Sequence, residues 1–369
     1  MRIAILPFAA ATLSMVGLVV TTPINIPLKL RNLSNQARLP RHQTRAAASG
    51  HNIPLTDYFN RTDNQWYSDI SVGTPWQNLS VLWDTGSTYL LLPQSNCSNC
   101  GNHPLFDPGS SSSFSGSPGT TVNPLFSTGA DSIPLSQPEG ATCHVNTETV
   151  SIGELQVKNQ SLLLCDSYAP VLSQQPIDGI IGLGLPHAGS VKSWYWNLYD
   201  SGQLESPVFS FYTPAGNING SELTLGGIDD SKYKGDLLYT NLNQEVPSGW
   251  VVDLQAVNFN LGDGALPRRF QAGVFEQGWA LLDTGTAFIE APDIHTAASM
   301  YAEISPQIRL IDPAGAWGAP CSVLDEVAPQ ITFTLGAGSQ SANVTLPKAS
   351  FNLGEIPGQP GICQAWMSP

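Results

Sequence analysis

At 369 residues the chain is too long for one ordinary hydrophobic core and suits two lobes of roughly 150 residues each. Its net charge of −14, from 29 acidic against 15 basic residues, argues against nucleic acid as a partner. With 34 glycines, 29 prolines and many short β-branched or apolar runs, the composition points to a mainly β protein with few helices.

Residues 1–22 read as a secretory signal peptide. Met1-Arg2 gives a positive start, Ile3 to Val20 is apolar apart from Thr12 and Ser14, and Thr21-Thr22-Pro23 supplies small residues at a break. A membrane anchor is disfavoured because Pro7 interrupts the run, which barely reaches the length of a span. No other stretch is apolar enough to cross a bilayer, so a secreted, extracellular protein without a membrane anchor is expected. Asn-x-Ser/Thr sequons at Asn32, Asn60, Asn78, Asn96, Asn159, Asn219 and Asn343 fit a secreted glycoprotein.

Residues 23–50 are basic. Arg2, Lys29, Arg31, Arg38, Arg41 and Arg45 precede residue 50, whereas the first acid is Asp57, which leaves nine bases against all 29 acids in the remainder. This segment is either a generic basic tail or a pro-segment held on the acidic body by charge at neutral pH and loosened as carboxylates protonate.

The first lobe is expected over residues 51–215. The β-formers Val81 to Trp83 stop at Asp84-Thr85-Gly86-Ser87, and Pro93 follows nine residues after the Asp. Cys97-Ser98-Asn99-Cys100 has the spacing of a redox pair or half a zinc site, but no second close pair or suitably spaced His accompanies it. Six cysteines in an oxidising compartment instead predict three disulfides. Ser110 to Ser113 is a low-complexity run, and His51, His103, His144, His187 and His295 are scattered, which argues against a Ser/His hydrolase. No Gly-rich phosphate loop links a strand to a helix, and neither metal nor cofactor is expected. Apolar spacing predicts a helix over Val191 to Tyr199.

The second lobe is expected over residues 216–369. Trp279 to Leu282 leads into Asp283-Thr284-Gly285-Thr286, again with a Pro nine residues on, at Pro292, and Ile294 to Ile304 has helical spacing. A lone Asp-Thr-Gly is ordinary turn chemistry. Two copies 199 residues apart, each ending an apolar run, instead predict that the chain brings two carboxylates together at strand tips, with Gly supplying backbone freedom. Two like charges about 3 Å apart do not both ionise cheaply, so such a dyad holds one proton. One carboxyl then acts as acid and the other as base on a water lodged between them, which is hydrolysis without metal or covalent intermediate.

The two turns resemble those of the pepsin-like aspartic proteases. Asp178-Gly179-Ile180-Ile181-Gly182-Leu183-Gly184 is similar to the family's strand behind the first catalytic loop, Tyr67 to Pro75 to its opening strand, and Glu222 to Asp229 with Lys232 to Gly235 to the start of its second lobe. The resemblance implies a bilobal double β-barrel with a cleft between the lobes. It implies a secreted, fungal-type, monomeric endopeptidase zymogen that cleaves polypeptides in acid through Asp84 and Asp283. Ser87 and Thr286 would orient the outer carboxylate oxygens, Thr85 and Thr284 would brace the turns, and Gly86 and Gly285 would admit an extended peptide. It favours the pro-segment reading, with Lys29 approaching the dyad. It also implies disulfides Cys97–Cys100 and Cys321–Cys363, leaving Cys143 with Cys165.

Two departures accompany the resemblance. The family closes a hairpin flap through a Tyr paired with a Trp; here Leu91 stands at the Trp position, and the flap candidate Phe126-Ser127-Thr128-Gly129 carries Phe126 for the Tyr. The strand bracing the second turn would fall near residue 381, whereas the sequence given stops at Pro369, and neither Phe333 to Gly336 nor Phe351 to Gly354 substitutes for it. The second lobe is therefore expected to lack its final strands and to leave Asp283 on a turn with exposed backbone groups. The competing functional reading is a weak or inactive relative that binds peptides or inhibitors.

Overall fold

The computed structural model describes residues 50–58, 65–128, 134–186, 191–214, 219–246, 249–262, 268–269, 278–356 and 358–368. The signal sequence, Lys29 and the rest of the basic leader up to residue 49 lie outside these, as do Gly129, His187, Asn32 and Asn60.

The first half builds β1 (His51–Tyr58), β2 (Gln65–Val72), β3 (Gln77–Asp84), β4 (Leu90–Pro93), β5 (Ser115–Val122), β6 (Leu125–Thr128), β7 (Pro134–Ile152), β8 (Leu155–Tyr168), β9 (Gly179–Gly182), β10 (Phe209–Tyr212) and β11 (Asn219–Leu225). They form one sheet in the order β10-β11-β1-β2-β3-β9-β4-β8-β7-β5, with β6 paired to β7. Strands β10 and β11 flank the expected 215/216 boundary and are neighbours in this sheet. Hairpin β2–β3 places Ile70 opposite Leu79 and Tyr67 opposite Leu82, turning at Gly73, whose φ of 87° suits glycine. Beneath it, Ile70, Trp83, Trp194 and Tyr195 close one apolar core, while Cys143, Cys165, Tyr168 and Ile180 belong to another.

The wholly buried β9 lies parallel to β3 and antiparallel to β4. Glycine is needed at both its ends for space: a Cβ on Gly179 would strike the Leu91 carbonyl, and one on Gly182 the Ser87 carbonyl. Hydrogen bonds from Leu183 N–H to Asp84 O and from Gly184 N–H to Ser87 O, both 2.7 Å, pin the first Asp turn from behind.

The second half contains β12 (Val251–Asn260), β13 (Arg268–Arg269), β14 (Gly278–Leu281), β15 (Ile289–Glu290), β16 (Arg309–Leu310), β17 (Trp317–Pro320), β18 (Gln330–Leu335), β19 (Ala342–Leu346), β20 (Asn352–Glu355), β21 (Ile362–Ala365) and β22 (Met367–Ser368). Strands β13-β12-β18-β19 form a sheet that β14 joins through β12, and β16-β17-β21-β20 form another. The parallel pair β15–β22, with Ile289 opposite Met367, parallels β4–β8 of the first half, where Leu91 lies opposite Leu163. Among the described residues β14 pairs only with β12, and no strand takes the place that β9 takes beside β3. The stretches 333–336 and 351–354 do not fill it: β18 pairs with β12 and β19, and β20 with β21.

Four α-helices occur among the described residues: α1 (Pro170–Ser173), α2 (Trp194–Asp200), α3 (Ile294–Ile304) and α4 (Cys321–Val327). Helix α3 matches its apolar spacing, capped by the Asp293 carboxylate accepting from the His295 and Thr296 N–H groups. The helix expected from Val191 starts instead at Trp194, because Ser193 is held in extended backbone at the N-cap. Helices α1 and α4, too short for a periodic signal, were not expected. The disulfides are Cys97–Cys100, Cys143–Cys165 and Cys321–Cys363, as expected. No helix among the described residues is long and apolar enough to cross a membrane.

Candidate active site

Asp84 ends β3, and Asp283 follows β14 by one residue after Leu282. Both carboxylates are buried and line the same pocket. Their proximity is recorded by the glycines. A Cβ added to Gly86 would fall on the Asp283 carboxylate, and one added to Gly285 would fall on that of Asp84. Neither glycine has positive φ, so space for the opposite carboxylate, and not backbone freedom, is what requires glycine here.

Each turn holds its own aspartate in the same way. Gly86 N–H donates to Asp84 Oδ1 and Gly285 N–H to Asp283 Oδ1, both at 2.7 Å. The turns then hold each other. Thr85 N–H donates to Thr284 Oγ1 at 3.1 Å, and Thr284 N–H to Thr85 Oγ1 at 2.9 Å. The hydroxyls donate onward to Leu282 O at 2.8 Å and Trp83 O at 2.6 Å. Every polar group of the two threonine positions facing the junction therefore has a partner, which a buried crossing of two backbones requires.

Two expectations are corrected here. Asp283 is 1% exposed and Thr286 fully buried, so the second turn is not an open one; the threonine exchange and the first turn cover it. The hydroxyls of Ser87 and Thr286 also differ. Thr286 Oγ1 donates to Asp283 Oδ2 at 3.3 Å, but Ser87 Oγ is buried without a hydrogen-bond partner.

The pocket is also lined by Gln65, Leu82, Phe126, Val171, Leu172, Gln175 and Ile180. Phe126, the flap candidate, thus reaches the cleft with the two aspartates, while Ser127 and Thr128 complete β6. Its hairpin is fastened to α1: Phe126 lies opposite Glu139, whose carboxylate accepts from Val171 N–H at 3.0 Å, and Gly140 O accepts from Ala169 N–H at 2.9 Å. Leu91 is buried between Leu163 and Ile180, an apolar environment that leaves no polar group orphaned.

Gln65 escaped the sequence reading. Its Nε2 donates to Gly285 O at 3.5 Å, and nothing in the sequence near residue 65 marks that contact across 220 positions. Behind it on β1, burial pushes the Asp57 carboxyl up to about 7, against a hydrogen bond from the Gln65 backbone.

A family model described as eukaryotic aspartyl protease matches residues 65–369. Pepsin-2B of Gadus morhua is 32% identical over 287 residues, 76% of this chain and 80% of that protein. An aspartic protease of Phaffia rhodozyma is 30% identical over 330 residues, 87% of this chain and 71% of that protein. A probable vacuolar protease A of Trichophyton verrucosum is 31% identical over 297 residues, 78% of this chain and 66% of that protein.

Proposed function

Because the chain belongs to the eukaryotic aspartyl proteases and is an aspartic-type endopeptidase of pepsin-like fold, we propose that Asp84 and Asp283 are its catalytic dyad, working in acid on extended polypeptides. The observation that carries this reading is the mutual embrace of the turns, each glycine seated against the other turn's carboxylate. With one proton between them, the ionised carboxylate accepts a proton from a water as it attacks the scissile carbonyl, and the protonated one donates to the carbonyl oxygen. The resulting tetrahedral diol collapses as the leaving amine takes up a proton, and the dyad returns to its single-proton state. The N–H groups of Gly86 and Gly285 hold the inner carboxylate oxygens in place throughout. Phe126 on β6 and the Val171–Leu172 wall would contact the peptide.

The basic leader is read as a pro-segment bound to the acidic body and released in acid, with Lys29 nearest the dyad. Secretion is supported by the apolar first 22 residues and by the exposure of Asn78, Asn96, Asn159, Asn219 and Asn343. The relative named probable vacuolar protease A makes a vacuole the competing destination.

The test is the pH-rate profile of the purified protein on an unfolded protein substrate, with and without a chelator. Activity should peak in acid, vanish toward neutrality and ignore the chelator; Asp84→Asn and Asp283→Asn should each fall by at least about 10³-fold. Substantial activity in either variant would overturn the assignment.

A further inference from the structure

The cleft wall formed by α1 is tied to the rest of the first lobe through a buried histidine that the dyad chemistry does not use. His103 lies just past the Cys97–Cys100 loop, with its side chain 7% exposed, and faces Asp178, 6% exposed, at the entrance to β9. His103 Nδ1 is 3.2 Å from Asp178 Oδ1, and Nε2 is 3.3 Å from the carbonyl oxygen of Leu172. The other carboxylate oxygen, Oδ2, accepts from the N–H of Ser80 at 2.7 Å and from its hydroxyl at 2.9 Å, and Tyr168 donates its hydroxyl to Asp178 O at 3.1 Å. Both ring nitrogens therefore meet oxygens that can only accept. A neutral imidazole donates from one nitrogen alone; the ring satisfies both contacts only when it carries two protons.

We propose that His103 is a positioning residue for the cleft: doubly protonated, it links Asp178 to α1 and holds the Val171–Leu172 wall against the pocket, and on losing a proton it lets that wall go. This rests on the reading of the cleft as the substrate site. When one proton leaves, the bond retained is the charge-assisted one to Asp178, and the bond lost is the one to Leu172 O. That carbonyl belongs to a helix of four residues with no side-chain cap, and the Gln175 N–H it also accepts, at 3.2 Å, is a bond within the same short segment that does not tie it to Asp178. Leu172 and Val171 both line the pocket with Asp84 and Asp283. The groups facing the ring are Asp178, the Leu172 and Ser173 carbonyls, and the Tyr168 ring with its centroid 6.4 Å away; Glu139 holds the start of α1 through Val171 N–H. The Asp178 hydrogen bond raises the His103 pKa above the ordinary imidazole value, with burial opposing it, so the tie is made throughout the acid range.

The experiment uses the full chain carrying Asp84→Asn, which stops self-digestion, labelled with ¹⁵N-histidine and compared with the same protein carrying His103→Gln. Imidazole ¹⁵N shifts should report both His103 nitrogens protonated at pH 5 and past the range of an exposed histidine. The dissociation constant of an apolar heptapeptide should rise about tenfold across that titration, the scale of one lost charged hydrogen bond, and stay flat in the His103→Gln protein. Protection of the amides of residues 169 and 171–174, taken relative to their intrinsic base-catalysed exchange rates, should fall over the same pH interval. A singly protonated ring at pH 5, or the same pH dependence of peptide binding in both proteins, overturns the proposal. Should His103→Gln fail to fold, the ring's proton count and the exchange rates of the His103 protein decide. Should the peptide not bind in the cleft at all, the proposed function fails while those two measurements still judge the tie.

Discussion

Thr85 and Thr284 each donate a backbone N–H to the other's hydroxyl, and each hydroxyl donates to the carbonyl two residues before the other threonine, at Leu282 and Trp83. The two Asp-Thr-Gly turns are thus a single hydrogen-bonded unit assembled from opposite halves of the chain. Thr85→Val and Thr284→Val should each destabilise the protein by roughly 1–3 kcal/mol, the cost of leaving buried backbone groups unpaired. The double variant should cost clearly less than the sum, because either change already breaks the exchange. Urea denaturation of the four proteins measures this, and strict additivity would show that the threonines act independently.

Gly86→Ala and Gly285→Ala should abolish turnover while leaving most of the fold, since the new methyl group meets the opposite carboxylate and must part the turns. A loss of at least about 10²-fold in kcat is expected from misplacing the dyad by an ångström. Thermal unfolding alongside kinetics separates the two effects; near-normal kcat would mean that the turns lie further apart.

The hydroxyl asymmetry predicts unequal variants. Thr286→Val removes a donor from the Asp283 carboxylate and should lower kcat about tenfold, whereas Ser87→Ala removes a hydroxyl without a partner and should change it less than about twofold. Equal losses would indicate that Ser87 turns to Asp84 once substrate is bound.

Stability should depend on pH through Asp57. Its folded pKa, raised by burial to about 7 from the ordinary carboxylate range, means that the folded state retains a proton which the unfolded chain has lost. The stabilisation is complete below about pH 4 and is lost progressively as pH rises to 7. His103, whose pKa is also raised, should add a further loss on the neutral side. Asp57→Asn should flatten the slope between pH 4 and 7 in denaturant titrations; an unchanged slope would assign it to other groups.

Much of this was legible in the sequence because it is local. An apolar run that stops at Asp-Thr-Gly marks a strand tip wherever it occurs, and its repetition, not its identity, points to a pair. Helix α3 was readable because eleven residues give three turns of apolar period and Asp293 caps them. Helix α1, four residues beginning with Pro170, has no period to read; it exists because Glu139, Gly140 and His103 supply partners from elsewhere in the chain.

By itself the sequence determined that two carboxylates sit on matching turns, that the chain is mainly β and that its cysteines pair, since these follow from short-range periodicity, turn chemistry and an even cysteine count. The tertiary structure alone decided why Gly86 and Gly285 are glycine, which hydroxyl reaches its aspartate, and which residues wall the cleft. Those outcomes depend on distances between atoms far apart in the chain. Burial makes each such contact costly to leave unsatisfied, so the packing of the two halves, and not any local preference, selects them.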